Sequence, residues 1–264
     1  MIDPRPWRDP TTGARLSHPD VIARLAQAKV VLLGEQHNRA ADHRWQSLVL
    51  AGLAARRTPL VVGFEMFPRH AQPGLDAWVA GRLDFDGFLQ AVRWTDSWGF
   101  DPALYAPLFD LCRDLGLPMR GLNIDRPLVT AIGRDGWQAL PDAERGWLSP
   151  ARPADPCYRR YLFDATGGVR PGRAAQSPED PAFDRFVRAQ QAWDRAFACA
   201  LARALAEAPE ALAVGVIGRG HLEYGLGVAD QLDDLAVGPV ATALPGAPPD
   251  VAGIADFVFC GNCA

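Results

Sequence analysis

Short, uninterrupted runs of hydrophobic residues recur along the chain, and most of them end in a glycine or an ionisable side chain. The runs at 29–34, 59–64, 117–123 and 212–218 are typical of strands buried on both faces. Segments with hydrophobic residues at helical spacing lie between these runs. The alternation predicts an α/β fold with a mostly parallel sheet, these four strands at its centre and helices on both faces.

Weaker patterns place the other elements. Residues 1–16 indicate an irregular lead-in, and residues 238–244 and 254–260 indicate two further strands. Helical spacing predicts helices over residues 21–28, 41–57, 72–81, 84–94, 102–115, 182–207 and 226–235.

Two of these helices begin beside residues that can cap them. Ser17 and Asp20 have the spacing of a capping box, with aspartate in place of the usual glutamate. Asn38 or Asp42 can cap the second helix. His43 follows in the first turn of that helix, where we expect an exposed surface histidine.

A proline-rich region precedes the long helix over 182–207. Seven prolines and the pair Gly167 and Gly168 interrupt residues 134–182. This composition predicts an insertion built of loops and short helical pieces, and long loops in compact domains often close over binding sites. We therefore expect one domain over residues 1–264, with the insertion as its lid.

Ionisable side chains follow three of the buried strands. The runs at 29–34 and 212–218 both lead into Gly-x-x-His, and the run at 59–64 leads into a glutamate. One such residue is most often a cap or a surface group, but three of them on three strands favour a functional site. The carboxyl ends of parallel strands meet at one edge of a sheet, where open α/β folds place ligands. Four side chains are expected to converge there, namely Glu35, His37, Glu65 and His221.

Two amides belong to the same prediction. Asn123 stands at the carboxyl end of the third strand, and Gln190 lies on an otherwise aromatic face of the long helix, with Phe186, Trp193 and Phe197. A buried amide needs hydrogen-bond partners. Both side chains are expected to contact the groups of the converging site.

Composition narrows the function classes. The chain is 48% hydrophobic and 22% charged with a formal net charge of −4, and it has no run of lysines or arginines. We therefore expect no nucleic-acid partner and no transmembrane helix. Residues 1–10 lack the apolar core of a signal peptide, which predicts a cytoplasmic protein. The alternative is a periplasmic protein or a membrane-anchored lipoprotein whose leader has been removed.

The chain has five cysteines, an odd number that does not indicate a complete disulfide framework. Cys112 and Cys199 fall on apolar helix faces and are expected to be inert core residues. Cys260 and Cys263 form a lone C-x-x-C, which we interpret as incidental or as a surface disulfide. The oligomeric state stays open, a homodimer included.

Five blocks of sequence resemble the ChaN-like haem-binding uptake proteins, within the wider grouping that includes Tiki proteins and erythromycin esterases. They occur in the order of that family and span nearly the whole chain. The blocks are LLGEQH at 32–37, VVGFEMF at 61–67, GLN at 121–123, AQQAWD at 189–194 and GRGHLEYGLGV at 218–228.

The resemblance implies haem binding linked to iron uptake. Haem needs an axial histidine or tyrosine and a broad apolar slot, and a tyrosinate is a known ligand of ferric iron. A tyrosine is therefore preferred over His221 as the ligand, with the haem beside the strand edge and under the insertion. The candidate haem-binding residues are Tyr158, Tyr161, Tyr224, Asn123 and Gln190.

The Tiki-like relatives imply an alternative, which is metal-dependent hydrolysis by two Gly-x-x-His motifs and a glutamate. His37, Glu65 and His221 would then bind a divalent metal ion and leave one position open for water. Glu35 is the candidate general base acting on that water. A purely structural role is the third interpretation, although ionisable groups at three strand ends have no packing purpose.

Overall fold

The strands of this computed structural model, which describes residues 6–170, 173–246, 248 and 251–260, form one large sheet and one small ribbon. The strands are β1 (Trp7–Arg8), β2 (Arg15–Leu16), β3 (Val30–Glu35), β4 (Leu60–Pro68), β5 (Met119–Asn123), β6 (Val169–Arg170), β7 (Arg173–Ala174), β8 (Leu212–Gly218), β9 (Val240–Pro245) and β10 (Phe257–Phe259).

The large sheet has eight strands in the order β2-β1-β10-β9-β3-β8-β4-β5. The run from β10 to β5 is parallel throughout, whereas β1 pairs antiparallel with both β10 and β2. The predicted mostly parallel sheet is therefore confirmed, as are the two predicted strands near the C-terminus. Strands β6 and β7 form a separate antiparallel ribbon.

The helices alternate with the strands along the chain. They are α1 (His18–Leu25), α2 (Ala40–Ala54), α3 (Gln72–Val79), α4 (Phe85–Ala91), α5 (Trp94–Ser97), α6 (Ala106–Asp114), α7 (Arg126–Asp135), α8 (Asp142–Arg145), α9 (Pro156–Thr166), α10 (Asp184–Glu207) and α11 (Val228–Asp234). Short 3₁₀ turns cover Arg69–Ala71, Pro102–Leu104, Trp137–Ala139, Pro181–Phe183, Arg219–His221 and Glu223–Gly225.

Alternating side chains of the central strands build two cores, one on each face of the sheet. Val31 and Leu33 of β3 point into a core formed with α1, α2, α3, α4 and α6. Val30 and Leu32 point the other way, into a core formed with α7, α10 and α11. Every residue of β3, β4 and β8 is buried, which is why these strands read as continuous apolar runs.

Two sequence predictions about the sheet are wrong. The lead-in over residues 1–16 contains β1 and β2, which are too short to carry an alternating pattern. Strand β5 lies at the edge of the sheet and not at its centre. The side chain of Gln72 covers that edge, because its amide donates to the carbonyl of Met119 and accepts from the backbone N–H of Gly121.

Two predictions about how helices start also differ from the structure. The hydroxyl of Ser17 accepts from the backbone N–H of Asp20, as the capping spacing indicates, but α1 starts at His18 rather than at residue 21. Helix α2 has no side-chain cap from Asn38 or Asp42. Asp42 instead accepts from the backbone N–H of Gln36, which ties the helix to the loop after β3.

The proline-rich region contains more helix than the loop-rich pattern indicates. Helix α9 lies inside it, and α7 runs into its start. Pro127 and Pro156 stand in the first turns of these helices, where the missing N–H costs no hydrogen bond. Within the described residues, no helix is long and apolar enough to cross a bilayer.

Candidate functional site

The site begins where β3 and β4 deliver two buried carboxylates to the same edge of the sheet. Glu35 is the last residue of β3. Glu65 lies in β4 where the register with β5 shifts between Phe64 and Pro68. This irregularity lies inside the strand, so the prediction that Glu65 follows the end of a strand is wrong. Bulges of this kind often change the direction of a side chain beside a functional site.

Glu35 orients two imidazoles. One carboxylate oxygen lies 2.7 Å from Nδ1 of His37, and the other lies 3.1 Å from Nδ1 of His43. The hydroxyl of Tyr105 lies 3.4 and 3.5 Å from the two oxygens. With three polar neighbours around a carboxylate that is 1% exposed, Glu35 acts as an internal anchor for His37.

His43 is fully buried, so the prediction of an exposed histidine is wrong. Its Nε2 lies 3.2 Å from the carbonyl of His37, and its ring is tilted against the ring of Tyr105, with 4.1 Å between the two centroids. The amide of Gln46 also faces it, at 3.3 Å from Nδ1. His43 therefore supports the loop that carries His37, which explains a polar residue on the core side of α2.

His221 is oriented in the same way from the other side of the site. Its Nδ1 lies 2.7 Å from Oδ1 of Asp194 in α10, and the second oxygen of Asp194 accepts from the hydroxyl of Tyr158 in α9. The ring of Phe197 packs against the imidazole at 5.3 Å. Each histidine thus has a carboxylate on Nδ1, which leaves Nε2 for another partner.

Glu65 lies between the two histidines. One oxygen lies 3.8 Å from Nε2 of His221, and the other accepts from the backbone N–H of Gly218 at 2.5 Å. A Cβ at Gly218 would lie 2.7 Å from Cε1 of His37, 3.0 Å from its Nε2 and 3.2 Å from Glu65. The absence of a side chain at Gly218 therefore lets His37 and Glu65 approach each other over the end of β8.

The donor atoms are close enough for a single metal ion. One donor atom each from Glu35, His37 and Glu65 lies within 4.8 Å of the others. His221 is not part of this group, although its Nε2 lies 3.8 Å from Glu65, and Glu35 already holds the Nδ1 atoms of two histidines. Imidazole nitrogens and carboxylate oxygens are donor types that zinc sites in proteins use.

Burial and the neighbouring carboxylates shift the pKa values of His37 and His221 in opposite directions. Burial alone would lower the pKa of His37, but its hydrogen bond to Glu35 and the charges of Glu65 and Glu35 raise it above the usual value. Burial also opposes protonation of His221, while the charge and hydrogen bond of Asp194 and the charge of Glu65 raise its pKa to about 9. The carboxylates of the site therefore favour a positively charged group beside them.

A cavity of about 530 Å³ opens over these side chains. Its size is typical of small-molecule sites. The predicted residues that line it are His37, Glu65, Asn123, Gln190 and His221. Its other walls are apolar, from Met66, Trp98, Phe100, Ile124 and Trp193, and charged, from His70, Arg93, Asp96, Asp125 and Arg126.

The two predicted amides reach the site differently. Asn123 donates to the backbone carbonyl of Glu65 at 2.7 Å and so fixes the backbone of the irregular part of β4. Gln190 lines the cavity and is partly exposed.

The three predicted tyrosines lie outside the set of residues that line the cavity. Tyr158 is 3% exposed and donates to Asp194. Tyr161 donates to Glu223 at 3.0 Å, and its ring lies 5.7 Å from that of Tyr224. Tyr224 is 42% exposed and has a left-handed backbone with φ of 61°.

The cysteine predictions concern residues away from the site. Cys112 and Cys199 are buried as expected, and burial raises the pKa of the Cys112 thiol. Cys260 is partly buried and Cys263 lies outside the described residues, so the interpretation of that pair stays a prediction.

Sequence reasoning missed three polar residues that shape the site, which are Asp194, His43 and Tyr105. Asp194 lies one helical turn after Gln190, on the same face of the long helix, and this spacing is a signal that the sequence offers. The spacing of His43 and Tyr105 carries no comparable signal, because their contacts depend on how α2 and α6 pack.

Solved structures show where this arrangement of elements occurs. ChaN of Campylobacter jejuni, which is described as binding haem cofacially, aligns with a TM-score of 0.71 at 19% identity, over 96% of this chain and 94% of that one. The erythromycin esterase EreC in its open conformation aligns with a TM-score of 0.51 at 11% identity, over 90% and 76%. The type III effector HopBA1 aligns with a TM-score of 0.50 at 14% identity, over 99% of both chains. At these identities, the likeness concerns the fold.

No curated protein matches the chain significantly. The sequence model of one family, described as haem-binding uptake, Tiki superfamily, ChaN, matches residues 21–232 and so covers most of the chain, including all four converging side chains. The chain belongs to the ChaN family of haem-binding uptake proteins, in the Tiki superfamily.

Proposed function

We propose that this protein binds haem as part of haem or iron uptake. Family membership over residues 21–232 is the observation that carries the proposal. ChaN from Campylobacter jejuni, which shares the fold over nearly its whole length, is described as binding haem cofacially.

Tyr224 is the axial ligand that we propose. Its side chain is the most exposed of the three candidate tyrosines, so its hydroxyl is open to a ligand from solution. Its left-handed backbone is unusual for a bulky residue, costs about 1–3 kcal/mol, and is a conformation that persists mainly where function requires it. An exposed ligand would leave one haem face open, as stacking of two haems requires.

The other two tyrosines are poorer ligands in this arrangement. Burial and then the charge and hydrogen bond of Asp194 raise the pKa of Tyr158, and burial and then Glu223 raise the pKa of Tyr161. Both effects oppose the tyrosinate that ferric iron binds. As ligands, both would also have to give up a hydrogen bond to a carboxylate.

Haem titration followed by absorption spectroscopy tests this proposal. Wild type should give a Soret band together with the charge-transfer band of a ferric tyrosinate, and Tyr224→Phe should lose the charge-transfer band and bind more weakly. Tyr161→Phe is the matched control and should keep both features. If His221→Ala changes the spectrum and Tyr224→Phe does not, the ligand is the imidazole in the cavity. A wild type without a Soret shift would overturn the haem proposal.

We infer a second candidate function, metal-dependent hydrolysis, for the cavity. The observation that favours it is the pair of histidines that line one cavity, each with a carboxylate on Nδ1 and with Glu65 near both. A divalent ion held by His37, Glu65 and His221 would supply an activated water. Glu35 would keep His37 in the tautomer that ligation needs.

Metal analysis tests this second candidate without a known substrate. Purified wild type should retain one divalent ion, or take up Co²⁺ with a visible spectrum, and both His37→Ala and His221→Ala should lose it. His70→Ala is the control, because His70 also lines the cavity but pairs with Asp125 and is about half exposed. Equal loss in all three variants would argue against a site at His37 and His221.

A further inference from the structure

The proline-rich region contacts the cavity site through one side chain of α9. Tyr158 is 3% exposed, and its hydroxyl lies 2.5 Å from Oδ2 of Asp194. Asp194 is 1% exposed, and its other oxygen lies 2.7 Å from Nδ1 of His221. The three side chains form a continuous line from α9 through α10 to the turn after β8, with Tyr158 and Asp194 buried and His221 partly exposed.

The directions of these hydrogen bonds follow from chemistry. A phenol beside a carboxylate donates, so Oδ2 of Asp194 accepts from Tyr158. Oδ1 then accepts from Nδ1 of His221, and the imidazole must place Nε2 on the side of Glu65 and the cavity, where the distance to Glu65 is 3.8 Å. Without a donor at Oδ2, Asp194 would be a buried carboxylate with one unsatisfied oxygen and greater freedom to rotate.

Helix α9 is built to present this hydroxyl. Asp155 caps the first turn by accepting from the backbone N–H of Cys157 at 2.7 Å, and Gly167 ends the helix with a φ of 63°. Tyr158 and Leu162, one turn apart, bury the same face against Phe183 and Val187. Arg159 pairs with Asp184 at 2.9 Å and ties the helix to the start of α10.

We propose that Tyr158 is a positioning residue that fixes Asp194 and thereby holds the imidazole of His221 with Nε2 in the cavity. Helix α9 must then be packed in place for the site to be complete, whichever ligand binds in the cavity. This role differs from that of a haem ligand, which would require the Tyr158 hydroxyl to leave Asp194.

Proton NMR of the ligand-free protein, labelled with ¹⁵N-histidine, tests the proposal independently of haem or metal binding. The Nδ1–H resonance of His221, assigned through its loss in His221→Gln, should be downfield and protected from solvent exchange. In Tyr158→Phe the resonance should shift and exchange faster, while Tyr161→Phe, which loses only its bond to Glu223, should leave it unchanged. An unchanged shift and exchange rate in a folded Tyr158→Phe would overturn the proposal.

A second variant covers the case in which Tyr158→Phe fails to fold. Difluorotyrosine placed at position 158 by nonsense suppression keeps the ring and the packing but makes the hydroxyl a stronger donor. More charge is then drawn to Oδ2 of Asp194, so the Nδ1–H resonance of His221 should move upfield relative to the unsubstituted protein. No movement in this folded protein would show that Tyr158 and His221 are not coupled through Asp194.

Discussion

At the scale of single residues, the site depends on Gly218, Glu35 and Asp194, which leave space or a nitrogen atom free for other groups. Gly218 supports His37 and Glu65 because it has no Cβ, and Glu35 and Asp194 leave Nε2 of each histidine unbound. The identities of the histidines and of Glu65 could be read from the sequence. The role of Glu35 as an anchor could not, because a strand-end carboxylate looks the same whether it faces a ligand or a second histidine.

Gly218→Ala should disrupt the site directly. The new Cβ would lie under 3.0 Å from the ring of His37, so the imidazole must move. We expect a loss of roughly 1–3 kcal/mol in the free energy of unfolding, which is typical of overpacking, together with loss of Co²⁺ binding. Gly220→Ala in the same turn is the control, since its Cβ would meet no atom within 4 Å. Urea unfolding and cobalt absorption measure both effects, and equal behaviour of the two variants would contradict the prediction.

The raised pKa of His221 predicts a specific pH dependence of stability. Because its pKa is about 9 in the folded protein and about 6.5 when unfolded, the folded state binds the proton more tightly. Its contribution, on the order of 3 kcal/mol at most, is fully present below pH 6.5 and is lost as the pH rises through 9. Urea unfolding at several pH values should therefore show the difference between wild type and His221→Gln shrinking over this window. A constant difference would show that Asp194 and Glu65 do not hold the proton.

At the scale of elements, the predictable parts are those in which burial dictates composition. Strands β3, β4 and β8 are buried on both faces, and the sequence has little freedom there. Strands β1 and β2 have two residues each, too few for any periodicity. Helices α7 and α9 have prolines in their first turns. In the sequence, these prolines resemble helix breakers, because their place in the first turn is evident only from the structure. Tertiary context thus decides the elements that local patterns miss.

A prediction at this scale concerns Gln72, whose side chain covers the edge of β5. Gln72→Ala removes both the donor to Met119 and the acceptor for Gly121, and leaves these backbone groups to water. We expect a loss of about 1–2 kcal/mol in the free energy of unfolding and an increased tendency of the edge to self-associate. Gln90→Ala, at an exposed position in α4, should change neither quantity. Urea unfolding and light scattering distinguish the two outcomes.

At the scale of the whole molecule, the structure separates the histidine and glutamate site from the tyrosines, which the sequence analysis places together. The histidines and Glu65 line one cavity, whereas Tyr161 and Tyr224 pair with each other outside the residues that line it. The sequence placed them together because Tyr224 follows His221 by only three residues. Tyr224 itself has a left-handed backbone, which no pattern in the sequence predicts.

This separation predicts that haem and a divalent metal ion bind at the same time. If Tyr224 ligates haem on the exposed edge, then Co²⁺ in the cavity should leave the haem affinity nearly unchanged, and haem should leave the cobalt spectrum unchanged. Tyr224→Phe should weaken only haem binding, and His37→Ala should abolish only cobalt binding. Titrating each ligand in the presence of a saturating amount of the other measures the coupling. Competition between them would place the haem iron at the histidines in the cavity and remove Tyr224 as its ligand.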